Sequence, residues 1–274
     1  MDREQGRATG AGPAVSGATA GPAAIPIEIG ILTSGKPTLA MALSSLLLQN
    51  TPDIRIHIVD TAERPVIHHE DFSSAMRLAF DRGISCTYEH RRERQRSFSA
   101  GKLALLEALT GPHICFMDDD VVLPSGSLTL LSVFVATHPD YGYLAPALKN
   151  PGTRRTALGG RTQFAPGTLF RQDPVVRRIL LEYYATTDDV LDRQRQGDVV
   201  WEVAFLTEMF PLLGRPCYTQ PDNVIYHLDY HEGPNWELLR EDLLATSRAK
   251  ARALVQKYAG AIAEVPIEIA GPKH

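Results

Sequence analysis

The sequence predicts an α/β fold in which a mostly parallel sheet is flanked by helices within a single domain. A β-branched segment at 25–33 is followed by a Leu-rich helical pattern at 37–49 and a second strand-like segment at 54–59. A strand, a helix and a strand in this order form a βαβ unit, which implies parallel pairing of the two strands. The chain of 274 residues can bury one substantial core, so we expect one domain rather than two.

Helical and strand-like segments continue to alternate along the rest of the chain. Apolar residues three and four apart predict helices at 71–82, from Ser97 or Ser99 to Leu109, and at 125–137, 173–184, 201–213 and 235–258. Short β-branched or apolar runs predict strands at 84–88, 114–117, 143–148 and 223–226. Residues 89–96 are predicted to form a charged loop, and periodicity also fades between Lys149 and Gln172. A loop as long as the second one usually serves function in a compact domain.

The first residues of the chain differ in composition from the rest. Residues 1–24 are rich in Gly, Ala, Pro, Ser and Thr and have no apolar periodicity, which predicts a disordered N-terminal tail. They contain neither a basic stretch nor an apolar stretch of the kind found in secretory signals. We therefore expect a cytoplasmic protein, and the scattered cysteines Cys86, Cys115 and Cys217 are expected to be reduced.

Overall charge and hydropathy exclude several classes of partner. The formal net charge is −4 and the sequence pI is about 6.1, so neither nucleic acid nor an anionic membrane surface is expected to bind. No apolar run approaches the roughly 20 residues that span a bilayer, so no transmembrane segment is predicted. A soluble partner is therefore favoured over a lipid.

The most informative stretch is an apolar run that ends in three consecutive carboxylates. Residues 114–117 predict a buried strand, and Asp118, Asp119 and Asp120 follow directly. Adjacent carboxylates at the end of a buried strand repel one another, and a divalent cation such as Mg²⁺ or Mn²⁺ is the simplest compensation. The alternative is a solvated acidic turn, which is common for acidic triplets in loops. Apolar residues on both sides favour the metal site.

Other polar residues also fall at the ends of predicted strands or in the loops beside them. These are the segment 33–36 together with Asp60, Lys102 and His227. In an open parallel sheet such ends line one rim, so the residues are expected to converge on one cleft. Each also has a structural interpretation: Asp60 as the start of a turn, Lys102 as a solvated helix residue, and His227 as a hydrogen-bonded structural histidine.

Taken in order, these motifs resemble an inverting nucleotide-sugar glycosyltransferase of the GT-A fold, close to glycosyltransferase family 2. The segment 29–37 is similar to the first strand and nucleotide loop of that family, and 58–60 to its second strand. The segment 116–120 is similar to the DxD motif, with Asp118 and Asp120 as the paired carboxylates. Gly214 followed by 224–227 is similar to a terminal pattern in which a histidine completes the metal site. The resemblance implies a GT-A-like, Rossmann-like sheet.

The resemblance also implies ligands and site residues. The donor would be a nucleotide-diphosphate sugar, with a UDP-sugar favoured, and the acceptor a soluble small molecule or glycan. Residues 25–148 would form the nucleotide-sugar-binding half, and 149–274 the acceptor-binding half with the C-terminal helix. Mn²⁺ or Mg²⁺ would be held by Asp118, Asp120 and His227. The donor would be contacted by Thr33, Ser34, Gly35, Lys36, Asp60, Lys102, Asp118 and Asp119.

One departure from the family pattern concerns the catalytic base. The family usually carries Glu-Asp at the start of the helix before the Gly214 position, whereas this chain has Trp201, Glu202 and Val203. Glu202 is therefore the candidate base, and Asp198 is the second choice. The missing pair leaves a catalytically inactive module that binds a nucleotide sugar as an alternative. A second, independent alternative is a sugar-phosphate nucleotidylyltransferase, although the Gly-rich N-terminal loop usual for such enzymes is absent from 29–37.

Overall fold

The computed structural model describes six stretches of the chain, 25–50, 53–92, 97–149, 166–192, 198–228 and 240–260. The N-terminal tail predicted for 1–24 lies outside the described residues. The strands are β1 (Ile27–Thr33), β2 (Ile54–Asp60), β3 (Ser85–His90), β4 (His113–Asp118), β5 (Val121–Val122), β6 (Tyr143–Lys149), β7 (Leu169–Arg171), β8 (Thr187–Asp189), β9 (Asp198–Val200) and β10 (Cys217–His227). The helices are α1 (Leu39–Leu47), α2 (Glu70–Asp81), α3 (Phe98–Ala108), α4 (Ser127–Thr137), α5 (Pro174–Thr186), α6 (Glu202–Leu212) and α7 (Arg240–Ala259).

An eight-stranded sheet in the order β3-β2-β1-β4-β7-β6-β10-β5 forms the centre of the fold. The pairs β3–β2, β2–β1, β1–β4 and β6–β10 are parallel, while β7 and β5 run antiparallel to their neighbours. Ile27, Ile29 and Ile31 of β1 are all fully buried. A strand covered by helices on both faces is expected to be mostly apolar, and β1 is so apart from the buried Glu28 and Thr33. The prediction of a mostly parallel sheet flanked by helices is confirmed.

The core divides into two clusters, one on each face of the sheet. One cluster contains the apolar residues of α1 and α2 together with Leu128 and Leu131 of α4. The other contains the apolar residues of α3, α5, α6 and α7. Gly101 brings α3 close to β1, because a Cβ added there would lie 2.3 Å from Leu32 Cδ1. The position of α3 depends on this close contact.

Several strands differ from the sequence prediction. β10 begins at Cys217, six residues before the predicted strand at 223–226, because its polar first part pairs with β6 before a bulge between Gln220 and Val224. β7 lies within the predicted loop 149–172, and Glu89 and His90 extend β3 instead of joining the charged loop. The short strands β8 and β9 pair with each other in a separate sheet. Pairing partners decide these strands, and local periodicity does not reveal them.

The longest helix of the described part, α7, is polar along much of its length. It has 20 residues, with Glu241 and Asp242 in the first turn and Lys257 in the last. Acids near the start of a helix and bases near its end interact favourably with the helix dipole. Within the six stretches given above, no helix is long and apolar enough to cross a membrane.

Candidate active site at the acidic end of strand β4

Backbone pairing brings the acidic end of β4 close to the end of β10. β1 and β4 pair in parallel with Leu32 opposite Asp118, so both strands end at the same rim of the sheet. β5 follows Asp120 and pairs antiparallel with β10, which places His227 opposite Val121. The backbone of β10 therefore delivers His227 to the carboxylates, although the two segments are far apart in sequence.

Asp118, Asp120 and His227 form a cluster with the character of a metal site. One ligand atom from each of the three residues lies within 4.8 Å of the other two. His227 Nε2 is 3.0 Å from Asp120 Oδ1. Carboxylate oxygens suit Mg²⁺ and Mn²⁺, and imidazole suits transition metals, so the donor set fits a divalent cation. Ligation of a metal by these residues stays a prediction.

Asp120 also contacts Lys36, and its hydrogen bonds with Lys36 and His227 favour the ionised carboxylate. Lys36 Nζ donates to Asp120 Oδ2 at 2.6 Å. Burial alone would raise the pKa of Asp120, but hydrogen bonds from His227 and Lys36 outweigh it and lower the pKa. Burial would likewise lower the pKa of His227, but the contact with Asp120 raises it. Asp120 is therefore an anion held between the Lys36 ammonium group and the His227 imidazole.

The first loop is tied to the acidic segment through Thr33. The Thr33 hydroxyl donates to Asp119 Oδ2 at 2.7 Å and accepts a hydrogen bond from the Gly35 N–H at 3.0 Å. Gly35 has a φ of +97°, a conformation that favours glycine. Burial raises the pKa of Asp119 to about 6, although the Thr33 hydrogen bond opposes this shift. Ser34 is exposed beside them. Donor contacts by these residues remain predictions.

Asp60 organises the loop that follows β2. Its carboxylate is fully buried and accepts hydrogen bonds from Ala62 N at 2.8 Å, Val66 N at 2.8 Å and the Tyr88 hydroxyl at 2.5 Å. A ligand would have to displace one of these donors to reach the carboxylate. The contact with a nucleotide base that the sequence predicts for Asp60 therefore stays a prediction.

A cavity of about 80 Å³ adjoins Asp118. It brings together three residues that the sequence predicts for the site, Lys102, Asp118 and Glu202. The lining is completed by Asp189 and by six mostly apolar residues, Phe98, Phe116, Pro166, Leu191, Trp201 and Val203. A mostly apolar wall with a few convergent polar groups is the usual character of a small-molecule site.

Lys102 reaches this cavity from α3 and is only 2% exposed. Its Nζ is 4.0 Å from Asp118 Oδ1, and it lies 4.6 Å and 5.1 Å from the ring centroids of Phe116 and Phe98. Within the described part of the chain, no residue accepts a hydrogen bond from this ammonium group. Because a buried charge without hydrogen bonds is costly, Lys102 is poised to bind an acceptor oxygen supplied by a ligand. It is not a solvated helix residue.

Glu202 begins α6, where it is buried on the wall of the cavity. Tyr184 donates its hydroxyl to Glu202 Oε1, and the Glu202 N–H donates to Asp189 Oδ2 at 2.8 Å. Burial raises the pKa of Glu202, while Lys102 and the Tyr184 hydrogen bond oppose that shift. Asp198, the second candidate base, begins β9, and its side chain lies outside the described part of the structure.

Two residues of this region, Tyr184 and Asp189, are not predicted from the sequence. Tyr184 lies on the apolar face of α5, where the sequence pattern predicts an ordinary core residue. Asp188 and Asp189 come directly after that helix, where the helix dipole disfavours acids. This unfavourable placement is the one sequence signal for a separate role.

The arrangement of strands is shared with solved glycosyltransferases. S. aureus TarS matches with a TM-score of 0.56 and 12% identity, over 89% of this chain and 44% of the TarS chain. This chain thus spans less than half the length of that TarS chain. TarS 1–349 in complex with UDP-GlcNAc matches with a TM-score of 0.56 and 12% identity, over 89% of this chain and 77% of that one. The mannosyltransferase PcManGT from Pyrobaculum calidifontis, in complex with GDP-Man and Mn²⁺, matches with a TM-score of 0.55 and 15% identity. The match covers 90% of this chain and 78% of the PcManGT chain.

At these identities the likeness concerns the fold, which is the GT-A fold of glycosyltransferases. The family model of glycosyl transferase family 2 matches residues 32–181, more than half of the chain. The chain therefore belongs to glycosyl transferase family 2 and is a glycosyltransferase. No curated protein sequence matches it.

Proposed function

We propose that the chain transfers a sugar from a nucleotide-diphosphate donor to an acceptor hydroxyl with inversion at the anomeric carbon. One observation carries this proposal. Asp118 belongs both to the cluster with Asp120 and His227 and to the cavity that contains Lys102 and Glu202. A site for the diphosphate thus adjoins a cavity for the reacting sugar.

The donor is a nucleotide-diphosphate sugar. TarS and PcManGT, which share the fold, were solved with UDP-GlcNAc, UDP, or GDP-Man and Mn²⁺. In this chain the loop from Thr33 to Lys36 and the buried Asp60 form the nucleoside side of the cleft. A UDP-sugar is favoured.

Asp118, Asp120 and His227 hold Mn²⁺ or Mg²⁺. A divalent cation in this place would neutralise the negative charge that develops on the departing diphosphate. The DxD pair Asp118 and Asp120 supplies the hard oxygen ligands, and the neutral imidazole of His227 supplies nitrogen. Lys36, whose ammonium group contacts Asp120, provides a positive charge beside the proposed position of the diphosphate, in addition to that of the cation.

Lys102 provides the hydrogen bonds of the reacting sugar or its phosphate. Its ammonium group is buried on the cavity wall and has no acceptor among the described residues, as given above. A sugar hydroxyl or a phosphate oxygen supplies that acceptor when the donor binds. Charge-assisted hydrogen bonds of this kind are stronger than those between neutral groups.

Glu202 acts as the base. As the acceptor oxygen bonds to the anomeric carbon, its proton moves to the Glu202 carboxylate and the bond to the diphosphate oxygen breaks, with the electron pair leaving on the diphosphate. A single displacement from the face opposite the leaving group inverts the anomeric centre. The raised pKa of Glu202 brings the carboxylate closer to the operating pH, where a base is most effective.

The acceptor is a soluble small molecule or glycan, and residues 149–274 contribute its binding surface. The described part of that half includes Leu191, Trp201 and Val203 on the cavity wall. Their apolar side chains suit the apolar face of a sugar ring.

Replacement of Asp120 tests this proposal. Asp120→Ala removes a ligand of the cation and the partner of Lys36, so the release of UDP from UDP-sugars with Mn²⁺ and a panel of acceptors is expected to fall at least ~100-fold. Asp222→Ala, which removes an exposed carboxylate from β10, is the matched control and is expected to retain activity.

Two outcomes would count against the proposal. Full transfer by Asp120→Ala would contradict the role of the metal cluster. Release of pyrophosphate, with no release of UDP, would favour a sugar-phosphate nucleotidylyltransferase, and binding of the donor without turnover would favour an inactive module.

A further inference from the structure

Asp189 is a buried carboxyl group that lines the same cavity as Glu202. It belongs to β8 and is only 2% exposed. Its two oxygens accept from two different N–H groups, Oδ1 from Leu191 N at 2.9 Å and Oδ2 from Glu202 N at 2.8 Å. The carboxyl group thus contacts the backbone of Glu202 directly.

Asp189 takes the place of a capping residue at the start of α6. Helices usually begin with a Ser, Thr, Asp or Asn whose side chain accepts from the first N–H groups. Here that position is Trp201, whose side chain makes no capping hydrogen bond. The pairing of β8 with β9 sets Asp189 opposite Val200, next to the start of the helix. The cap therefore comes from another segment of the chain.

The segment that carries Asp189 is itself anchored. The Asp189 N–H donates to Asp192 Oδ2 at 2.8 Å, and to Ser99 Oγ of α3 at 2.9 Å. Asp192 also accepts from the backbone N–H groups of Phe98 and Ser99 at the start of α3. Asp189 is thus fixed relative to the helix that supplies Lys102.

We propose that Asp189 is a positioning residue for Glu202, holding its backbone N–H and tuning the basicity of its carboxylate through a second carboxylate in the same cavity. The inference rests on the proposed role of Glu202 as base. With Tyr184 bound to Oε1, Glu202 Oε2 is the oxygen without a hydrogen-bond donor among the described residues. This oxygen is the one left to accept the proton from the acceptor.

The electrostatic setting of Asp189 supports the tuning role. Burial, and after it the charge of Glu202, raise the pKa of Asp189 to about 7. The other ionisable groups around it are Asp192, Tyr183 and Tyr184 on the same side, and Lys102 across the cavity. Burial and the charge of Asp118 raise the pKa of Glu202, while Lys102 and the Tyr184 hydrogen bond lower it. Because the interaction of two carboxylates is mutual, loss of the Asp189 charge is expected to lower the pKa of Glu202 as well.

Asp189→Asn tests the inference, with Asp188→Asn as the matched control. Asn keeps one acceptor for the helix start but removes the charge. With UDP-GlcNAc and Mn²⁺ as the probe, kcat is expected to fall about tenfold because a base with a lower pKa is weaker. The KM for the donor is expected to stay within about twofold, and the acidic limb of the kcat–pH profile to move to lower pH.

The control removes a carboxylate from the neighbouring position of the same strand, which is not on the cavity wall. Asp188→Asn is expected to leave both kcat and the acidic limb unchanged. A folded Asp189→Asn protein with an unmoved limb and an unchanged kcat would overturn the inference, since a cap with a purely structural role predicts that result.

A second measurement works without any substrate and without a change at Asp189. The side-chain ¹³C signal of Asp189 is followed against pH in the wild-type protein and in Glu202→Gln. Removal of the Glu202 charge is expected to lower the midpoint, and an unchanged midpoint would overturn the coupling. Glu202→Gln also separates the role of Glu202 as base from the positioning role of Asp189. Full transfer activity of Glu202→Gln would refute the role of Glu202 as base. An inactive Glu202→Gln together with an Asp189→Asn variant of wild-type activity would refute only the positioning role of Asp189.

Discussion

Lys36 and the proposed divalent cation would compete for the same carboxylate, that of Asp120. The Lys36 ammonium group lies 2.6 Å from Asp120 Oδ2, while His227 lies at the other oxygen. A cation that coordinates Asp120 must therefore displace Lys36 or bind close to its positive charge. Two like charges about 4 Å apart near a protein surface repel each other by about 4 kcal/mol.

Lys36→Met is therefore expected to tighten Mn²⁺ binding in the absence of nucleotide, by about tenfold. Titration calorimetry on the unliganded protein measures the change. Lys250→Met in α7 makes the same change of charge away from the cluster and is expected to have no effect. Weaker Mn²⁺ binding by Lys36→Met would mean instead that Lys36 orients Asp120 for the metal.

The residues of the site differ in how far the sequence reveals them. Asp118 and Asp120 are visible because they end an apolar run, and His227 because it ends a strand. Asp189 is not visible, since its three-residue strand has no periodicity and its contact with Glu202 arises from the pairing of β8 with β9. The same holds for Tyr184, whose hydroxyl finds its partner only after α5 and α6 have packed.

At the scale of elements, α3 and β1 pack so closely at Gly101 that a larger side chain at this position would clash with Leu32. Gly101→Ala would bring a Cβ to 2.3 Å from Leu32 Cδ1. The overpacking, about 1–3 kcal/mol, is expected to exceed the gain of about 1 kcal/mol in helix propensity. The free energy of unfolding in urea is therefore expected to fall.

A double-mutant cycle identifies the cause. On a Leu32→Ala background the clashing methyl groups are absent, so Gly101→Ala is expected to be neutral or stabilising. Equal destabilisation on both backgrounds would show that α3 depends on Gly101 for another reason.

The elements that the sequence predicts correctly are those with a clear apolar pattern along the chain. β1, β2 and β4 are mostly buried and rich in apolar residues, although β2 exposes Arg55, and the helices α1, α2, α3 and α5 have clear periodicity. β7 and the first part of β10 are read as loop because they are short or polar, and their strand character comes from hydrogen bonds to β4 and β6. Periodicity detects burial, and it does not detect pairing.

For the whole molecule, ligand binding is expected to raise thermal stability in a metal-dependent way. UDP or GDP at about 100 times its Kd stabilises the native state by about 2.7 kcal/mol. For a domain of this size the melting temperature then rises by about 5–10 °C. A thermal-shift assay with and without Mn²⁺ measures the effect.

Asp120→Ala serves as the control in that assay and is expected to lose the part of the shift that depends on Mn²⁺. Equal shifts with and without Mn²⁺ in the wild-type protein would contradict a shared site for the metal and the diphosphate.

The two predicted halves of the chain, 25–148 and 149–274, contribute strands to one sheet. β7 and β10 of the second half lie between β4 and β5 of the first in the order of strands. The division of labour between donor and acceptor binding stays a prediction. Strand order itself follows from long-range pairing, which the sequence pattern leaves undetermined.

The pairing of β5 with β10 has a consequence for how the protein matures. Asp118 and Asp120 are synthesised early, but His227 reaches them only after β10 has paired with β5 at the edge of the sheet. A chain in which β10 has not yet paired lacks the proposed His227 ligand, so it is expected to bind the cation more weakly than the folded protein. If the proposed site holds a metal, its capture would be a late step that distinguishes fully folded chains from incomplete ones.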